Sequence, residues 1–257
     1  MTIVPDEPAA SSTPEAAAVA PPSGWRLMGR AVVWSLLSYV GALAVSFFFG
    51  VVLGVTGLHG RIAETDRPML YAVFGVIGTA TILTWVALYH AASAGQGDWR
   101  VGIGDRAIAR PWAIAVIALV ISAYAALITF GALNASPQAL RRAAGVNPIL
   151  IAIGLALAVV VAPLAEELFF RGWLWTGLRT RWGAVASGAV TSTLWLVLHL
   201  PDGVGRMTLL VPAAIALPLA RHYGRSVRAS IVVHACNNAT AGATPLVALW
   251  LGWLAWP

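Results

Sequence analysis

The sequence predicts an all-α protein, a polytopic membrane helix bundle with about eight transmembrane segments. Composition gives the first reason: 59% of the 257 residues are hydrophobic and only 10% are charged, with a mean hydropathy of +0.80. A soluble domain carries roughly 25% charged residues. Patterning gives the second reason, because apolar runs near the roughly 20 residues that cross a bilayer recur along most of the chain.

The predicted segments form a regular set and a less regular set. Four long apolar runs predict spans at about 31–56, 69–91, 112–133 and 149–170. The C-terminal third gives short or interrupted segments at about 184–200, 207–222, 228–243 and 245–256. Short or broken helices are tolerated where protein buries them or where they line a wet cavity. We therefore expect a site in the C-terminal half.

Three regions are predicted along the chain. Residues 1–24 are rich in Pro, Ala, Ser and Thr and are expected to be a disordered cytoplasmic tail. Residues 25–147 are expected to hold the first three transmembrane helices. Residues 148–257 are expected to form a core that carries the polar motifs described below.

Charge patterning predicts the orientation. All 16 basic residues are arginine, and they are scattered between apolar segments, which argues against nucleic acid as a partner. With eight crossings and the N-terminus inside, eleven arginines fall in inner segments and five in outer ones. This asymmetry predicts that both termini are cytoplasmic. The lysine-free, arginine-rich composition is typical of a GC-rich genome and predicts the inner membrane of a bacterium.

Polar side chains interrupt the C-terminal segments at three places. The sequence there reads Glu166-Glu167-x-x-x-Arg171, Trp195-x-x-x-His199 and His234-x-x-x-Asn238. Ionisable groups inside a hydrocarbon-length helix are costly and tend to be kept for function. A single cysteine, Cys236, excludes a disulfide framework. The three motifs are therefore the candidates for chemistry.

The two glutamates are predicted to have different roles. Glu167 and Arg171 are spaced i, i+4, so they can pair on one helix face. Glu166 lies about 100° around the helix and has no such local partner. A carboxylate without a partner in a bundle interior suits a general base or a metal ligand.

Helix arithmetic predicts that the motifs meet. With a turn near residues 181–183, Glu166 and His199 both lie roughly 23–26 Å from that turn. His234 lies about 9 Å inside the boundary marked by Arg228. The groups would then share one level, a short way below the cytoplasmic surface.

Together and in this order, the motifs resemble those of the CPBP (Abi) intramembrane proteases. That family includes CAAX prenyl endopeptidases and bacterial proteins linked to bacteriocin processing or immunity. The resemblance covers about residues 148–245. Trp195 stands where the family usually has phenylalanine, and we expect it to keep a packing role.

The resemblance implies an intramembrane endopeptidase. Glu166 and His199 would activate a water, His234 and Asn238 would stabilise the oxyanion, and Glu167 with Arg171 would fix the helix and bias Glu166. No cofactor is then required. A zinc version remains open, with Glu166, His199 and His234 as ligands. The expected substrate is a membrane protein or a lipidated or hydrophobic peptide within the bilayer.

Two other classes of function remain open. A non-catalytic immunity or scaffold protein could bind a peptide or lipid in the same cavity. A small transporter or proton relay could also use intramembrane Glu and His side chains. No inverted repeat is visible in the sequence, which argues against transport.

Overall fold

The computed structural model describes residues 23–135, 145–251 and 253. Over these ranges the chain forms helices and no strand, which confirms the all-α prediction. The predicted tail, except for its last two residues, lies outside the described residues. The same holds for 136–144, 252 and 254–257, the last of which overlap the predicted span 245–256.

Residues 23–135 contain four α-helices and a short 3-10 helix, Leu58–Arg61. The α-helices are α1 (Gly24–Val55), α2 (Arg67–Ala94), the short α3 (Trp99–Ile103) and α4 (Pro111–Ala135). Ser23 caps α1 by accepting a hydrogen bond from the Arg26 backbone N–H, which satisfies one of the free donors at a helix start. Helix α1 therefore begins inside the range predicted as tail.

The described part of the C-terminal half contains five further α-helices and a short 3-10 helix, Leu200–Asp202. The α-helices are α5 (Pro148–Ala156), α6 (Ala162–Glu167), α7 (Trp175–Leu198), α8 (Val204–Gly224) and α9 (Val227–Trp250). Two π-helical segments, Leu157–Val161 and Leu168–Leu174, connect α5 to α6 and α6 to α7. Gly183 has non-helical backbone angles (φ 75°, ψ 179°) and breaks α7. The turn predicted near 181–183 is confirmed.

Five stretches are long and apolar enough to cross a membrane: α1, α2, α4, Pro148–Leu198 as one 51-residue stretch, and α8. The protein is thus an integral membrane protein, but a count of eight spans is not confirmed. The break predicted between the segments 228–243 and 245–256 is wrong. Helix α9 continues through Pro245 as one element, in keeping with the tolerance of membrane helices for proline.

The polar motifs belong to the middle of the bundle. Helix α2 packs against α6 and the π-helical segment Leu168–Leu174 on one side, while α9 packs against α4, α8 and the segment Leu157–Val161. Phe169, Phe170 and Leu174 are fully buried in the core. The chain from Pro148 to Leu174 therefore lies between the N-terminal helices and α9.

The start of α9 is fixed by the loop that follows α3. The Arg228 guanidinium donates to both carboxylate oxygens of Asp105, and the Ser226 hydroxyl donates to the Arg106 carbonyl at 2.6 Å. The hydrogen bond from Arg228 lowers the pKa of the Asp105 carboxyl, and burial opposes this effect. These contacts set the position of the helix that carries His234.

A buried arginine ties α8 to the central segment. Arg221 donates from Nε to the Arg171 carbonyl at 2.9 Å and from Nη2 to the Thr176 hydroxyl at 3.3 Å. Gly104 makes room for it, because a Cβ there would lie 2.2 Å from Arg221 Nη2. Gly104 also has a left-handed backbone (φ 67°), which favours glycine.

The Asp105–Arg228 pair predicts a pH-dependent contribution to stability. The folded pKa of Asp105 lies below its ordinary value of 3.8. The stabilisation is therefore fully present above pH 3.8 and is lost as the pH falls through the folded value. We expect Asp105→Asn to lower the melting temperature slightly at neutral pH, since Arg228 is exposed.

Thermal unfolding in detergent over a pH series measures this difference. Glu64→Gln is the control. Glu64 is highly exposed and its ion pair with Arg67 is long, at 3.8 Å, so its loss should change the melting temperature little at any pH. A difference in melting temperature between wild type and Asp105→Asn that persists below the folded pKa of Asp105 would contradict a stabilising role for the ionised Asp105–Arg228 pair.

Candidate active site

Glu166 lies in the last turn of α6 and contacts two other helices. Its side chain is 19% exposed. The indole Nε1 of Trp195, on α7, donates to Glu166 Oε2 at 2.5 Å. His234 Nε2, on α9, lies 4.0 Å from the same oxygen. The expectation of a carboxylate without a partner is therefore wrong, since the partner comes from α7.

Glu167 is fully buried and joins two residues. Its Oε1 accepts a hydrogen bond from Arg171 Nη1 at 3.1 Å, so the predicted i, i+4 pair is present. The same oxygen lies 3.0 Å from His234 Nδ1. The sequence did not predict this second contact, because nothing in the spacing of the motifs relates Glu167 to α9.

The contacts of His234 define its proton positions. A carboxylate only accepts hydrogen bonds, so Nδ1 carries a proton where it faces Glu167. Nε2 then holds a lone pair when the ring is neutral and a proton when the ring is charged. Since Nε2 faces Glu166, each ring nitrogen has a carboxylate beside it.

His199 ends α7 and is oriented by its own helix. Its Nδ1 lies 2.9 Å from the Trp195 carbonyl, which can only accept a hydrogen bond. Nδ1 therefore carries the proton and the neutral ring keeps its lone pair at Nε2. The Trp195 and His199 rings pack with centroids 4.6 Å apart, as the i, i+4 spacing predicts.

Asn238 lies one turn beyond His234 and bonds to the first π-helical segment. Its Nδ2 donates to the Ala158 carbonyl at 2.8 Å. In that segment Ala162 donates five residues back, to Leu157. In the same register the next donor, to Ala158, would be Pro163, which has no N–H. Asn238 therefore supplies the hydrogen bond that Pro163 cannot.

A cavity of about 410 Å³ lies beside these groups. Glu166 and His199 both line it, together with mostly small or apolar residues of α1 and α2. Ser38 and Thr79 add hydroxyl groups to the wall, and Asp202 lies at the end that follows α7. The N-terminal helices thus form part of a pocket that the sequence motifs alone did not indicate.

The structure brings together most of the predicted site residues. Glu166, Glu167, Arg171 and His234 form one chain of contacts, and His199 shares the cavity with Glu166. Asn238 differs, since its described hydrogen bonds are with Ala158 and Asn237.

Trp195 is the group that sequence reasoning underestimated. It is 1% exposed and packs as expected, but its indole N–H also contacts Glu166. The signal was present in the sequence, because tryptophan brings a hydrogen-bond donor that phenylalanine lacks.

The arrangement of side chains around Glu166 bears on whether the site can hold a metal ion. Among the described residues, no group of three or more His, Cys, Asp or Glu side chains is placed to hold a metal ion. The three candidate zinc ligands therefore do not form a ligand set in this arrangement.

Comparison with known protein families identifies the C-terminal half. Residues 148–240 match the Rce1-like family, described as type II CAAX prenyl endopeptidase Rce1-like. Over these residues, fewer than half of the chain, the protein is similar to the Rce1-like family, which bears out the resemblance to the CPBP proteases seen in the three motifs. Neither a curated protein nor a solved structure gave a match.

The buried pair predicts an asymmetric response to mutation. Arg171→Met leaves the Glu167 carboxylate buried without its cation, which typically costs about 3–5 kcal/mol of unfolding free energy. The double variant Glu167→Gln/Arg171→Met removes both charges, and we expect it to lose less stability. Denaturant unfolding in detergent measures both variants. An equal loss of unfolding free energy in the single and double variants would contradict an energetic coupling between Glu167 and Arg171.

Proposed function

We propose that the protein is an intramembrane endopeptidase that hydrolyses a peptide bond at the membrane–cytoplasm interface. The observation that carries this proposal is the placement of Glu166 and His199 on one cavity, within a domain of the Rce1-like family. The family implies a protease. The contacts of each side chain support the role proposed for it.

Glu166 and His199 hold and activate the attacking water. The Nε2 lone pair of His199 accepts a hydrogen bond from that water, because Nδ1 is occupied by the Trp195 carbonyl. Glu166 Oε1 is free of described hydrogen bonds and takes the proton as the water attacks the peptide carbonyl. The carboxylic acid then returns the proton to the leaving amine.

His234 stabilises the oxyanion in its doubly protonated form. Nδ1–H then donates to Glu167 and Nε2–H points towards the reacting groups near Glu166. A preorganised donor of this kind is typically worth about 3–4 kcal/mol in the transition state. Asn238 keeps one amide hydrogen after bonding to Ala158, and that hydrogen is its only means of assisting.

Glu167 and Arg171 act as positioning residues. Glu167 orients the His234 ring through Nδ1, and Arg171 compensates the buried carboxylate. A carboxylate behind a histidine fixes both its orientation and its tautomer, as in the triads of hydrolytic enzymes. Their effect on Glu166 thus passes through His234.

The substrate is proposed to be a membrane protein or a lipidated or hydrophobic peptide. The cavity supports this class, since α1 and α2 contribute mainly small and apolar side chains to its wall. An extended segment would lie along these helices with its scissile carbonyl between Glu166 and His199. Most of the peptide's binding energy would then come from apolar contact.

The orientation proposed from the arginines places the N-terminus in the cytoplasm of a bacterium, in its inner membrane. The fusion of the last two predicted segments into α9 does not change the count of eleven against five, because no arginine follows Arg228.

Substitution of the two cavity residues tests the mechanism. Glu166→Ala and His199→Ala should each reduce cleavage of an internally quenched hydrophobic peptide by at least about 10²-fold. The peptide is used in unmodified and farnesylated forms, with purified protein in detergent. Glu64→Ala and His59→Ala are controls, because they replace the same residue types outside the site.

Wild-type rates in both site variants would overturn the hydrolytic mechanism. If wild type does not cleave and Glu166→Gln leaves the cellular phenotype unchanged, the non-catalytic immunity or scaffold role takes its place. Proton-coupled uptake in proteoliposomes would instead support a transporter.

Exhaustive chelation tests whether a metal takes part. The proposed roles use only side chains of the chain, so we expect full activity after chelation and no zinc by elemental analysis. Activity that is lost on chelation and restored by zinc would replace this mechanism with one in which Glu166, His199 and His234 bind the ion.

A further inference from the structure

We propose that Trp195 is a positioning residue, whose indole N–H holds the Glu166 carboxylate in its working orientation towards His199. This inference rests on the proposed function and deepens it. It assigns a role to a position where the chain departs from the motif that it resembles.

Trp195 contacts both members of the proposed catalytic pair. Its Nε1 donates to Glu166 Oε2 at 2.5 Å. Its backbone carbonyl lies 2.9 Å from His199 Nδ1, and its ring packs on the His199 ring. One residue therefore sets the orientation of the carboxylate and of the imidazole together.

The indole itself cannot easily move. Trp195 is 1% exposed, and three aromatic or charged neighbours surround it. The His199 and His234 rings lie 4.6 and 5.6 Å from it, centroid to centroid, and the Arg171 guanidinium lies 5.6 Å from its ring. A donor on such a constrained ring points in a fixed direction, which a donor on a flexible side chain does not.

No other described group replaces this donor. His234 Nε2 is 4.0 Å from Glu166 Oε2, beyond hydrogen-bond distance. Without the indole N–H, the Glu166 side chain would rotate about its torsions in the cavity. Restoring one orientation for catalysis would then cost side-chain conformational entropy. Phenylalanine at this position would keep most of the packing and lose the restraint.

The chain offers a matched control. Trp175 is also 1% exposed and lies on the same helix, α7. Its Nε1 finds no hydrogen-bond partner within the described part of the chain. Trp175→Phe therefore removes the same atoms from the core without removing a hydrogen bond.

The kinetic test compares Trp195→Phe with Trp175→Phe on the internally quenched hydrophobic peptide. We expect Trp195→Phe to lower kcat by about 10- to 100-fold, the range for a hydrogen bond to a charged group. KM should stay within about twofold, since the indole does not line the cavity. Trp175→Phe should change neither constant in this way. Equal effects of the two variants would overturn the inference.

A second measurement does not depend on cleavage. The melting temperatures of Trp195→Phe, Glu166→Ala and the double variant form a cycle, and Trp175→Phe with Glu166→Ala forms the control cycle. We expect Trp195→Phe to lower the melting temperature less in the Glu166→Ala background than in wild type. In the control cycle the decreases in melting temperature should add.

The two measurements separate the inference from the proposed function. Additive melting shifts in the Trp195 cycle would overturn the inference even if the protein cleaves the peptide. Coupled shifts in a protein that cleaves neither form of the peptide would support the contact and overturn the endopeptidase assignment instead.

Discussion

The arrangement of the candidate site depends on the contacts of the buried Glu167 carboxylate. Its Oε1 accepts a hydrogen bond from Arg171, in the π-helical segment that follows α6, and faces His234 of α9, so one oxygen connects these elements. The pair is not ideal for stability, because Glu167 Oε2 and two nitrogens of Arg171 find no described partner. Buried ion pairs often give little net stability. The arrangement is better explained by the orientation that it imposes on His234.

Irregular backbone around α6 provides carbonyl groups that other helices can bond to, which a regular helix would use internally. Two π-helical segments flank α6, and such segments occur frequently at functional sites. Pro163 leaves the Ala158 carbonyl without a backbone donor, and Asn238 provides one from α9. In the second segment, the Arg171 carbonyl accepts from Arg221 of α8. Helices α8 and α9 thus bond to the two segments in which the regular helical hydrogen bonding is interrupted.

The sequence was sufficient for features that depend on local periodicity. Helical spacing predicted the Glu167–Arg171 pair and the packing of Trp195 on His199, and both are present. It did not predict the contact of Glu167 with His234, because i, i+4 rules carry no information across helices. It divided α9 at a proline, since hydropathy cannot distinguish a proline that ends a helix from one that a helix tolerates. The family match, in turn, covers only residues 148–240.

The N-terminal helices give the site its shape, although the motifs lie elsewhere. Helices α1 and α2 line the cavity on which Glu166 and His199 lie, and α2 also packs against α6. A carboxylate in this setting is held by Trp195 on one side and open to an apolar cavity on the other. On the proposed function, chemistry and substrate choice would therefore fall to different parts of the chain. Changes in α1 that alter the cavity wall would then change which peptide segment is bound without disturbing the contacts of Glu167.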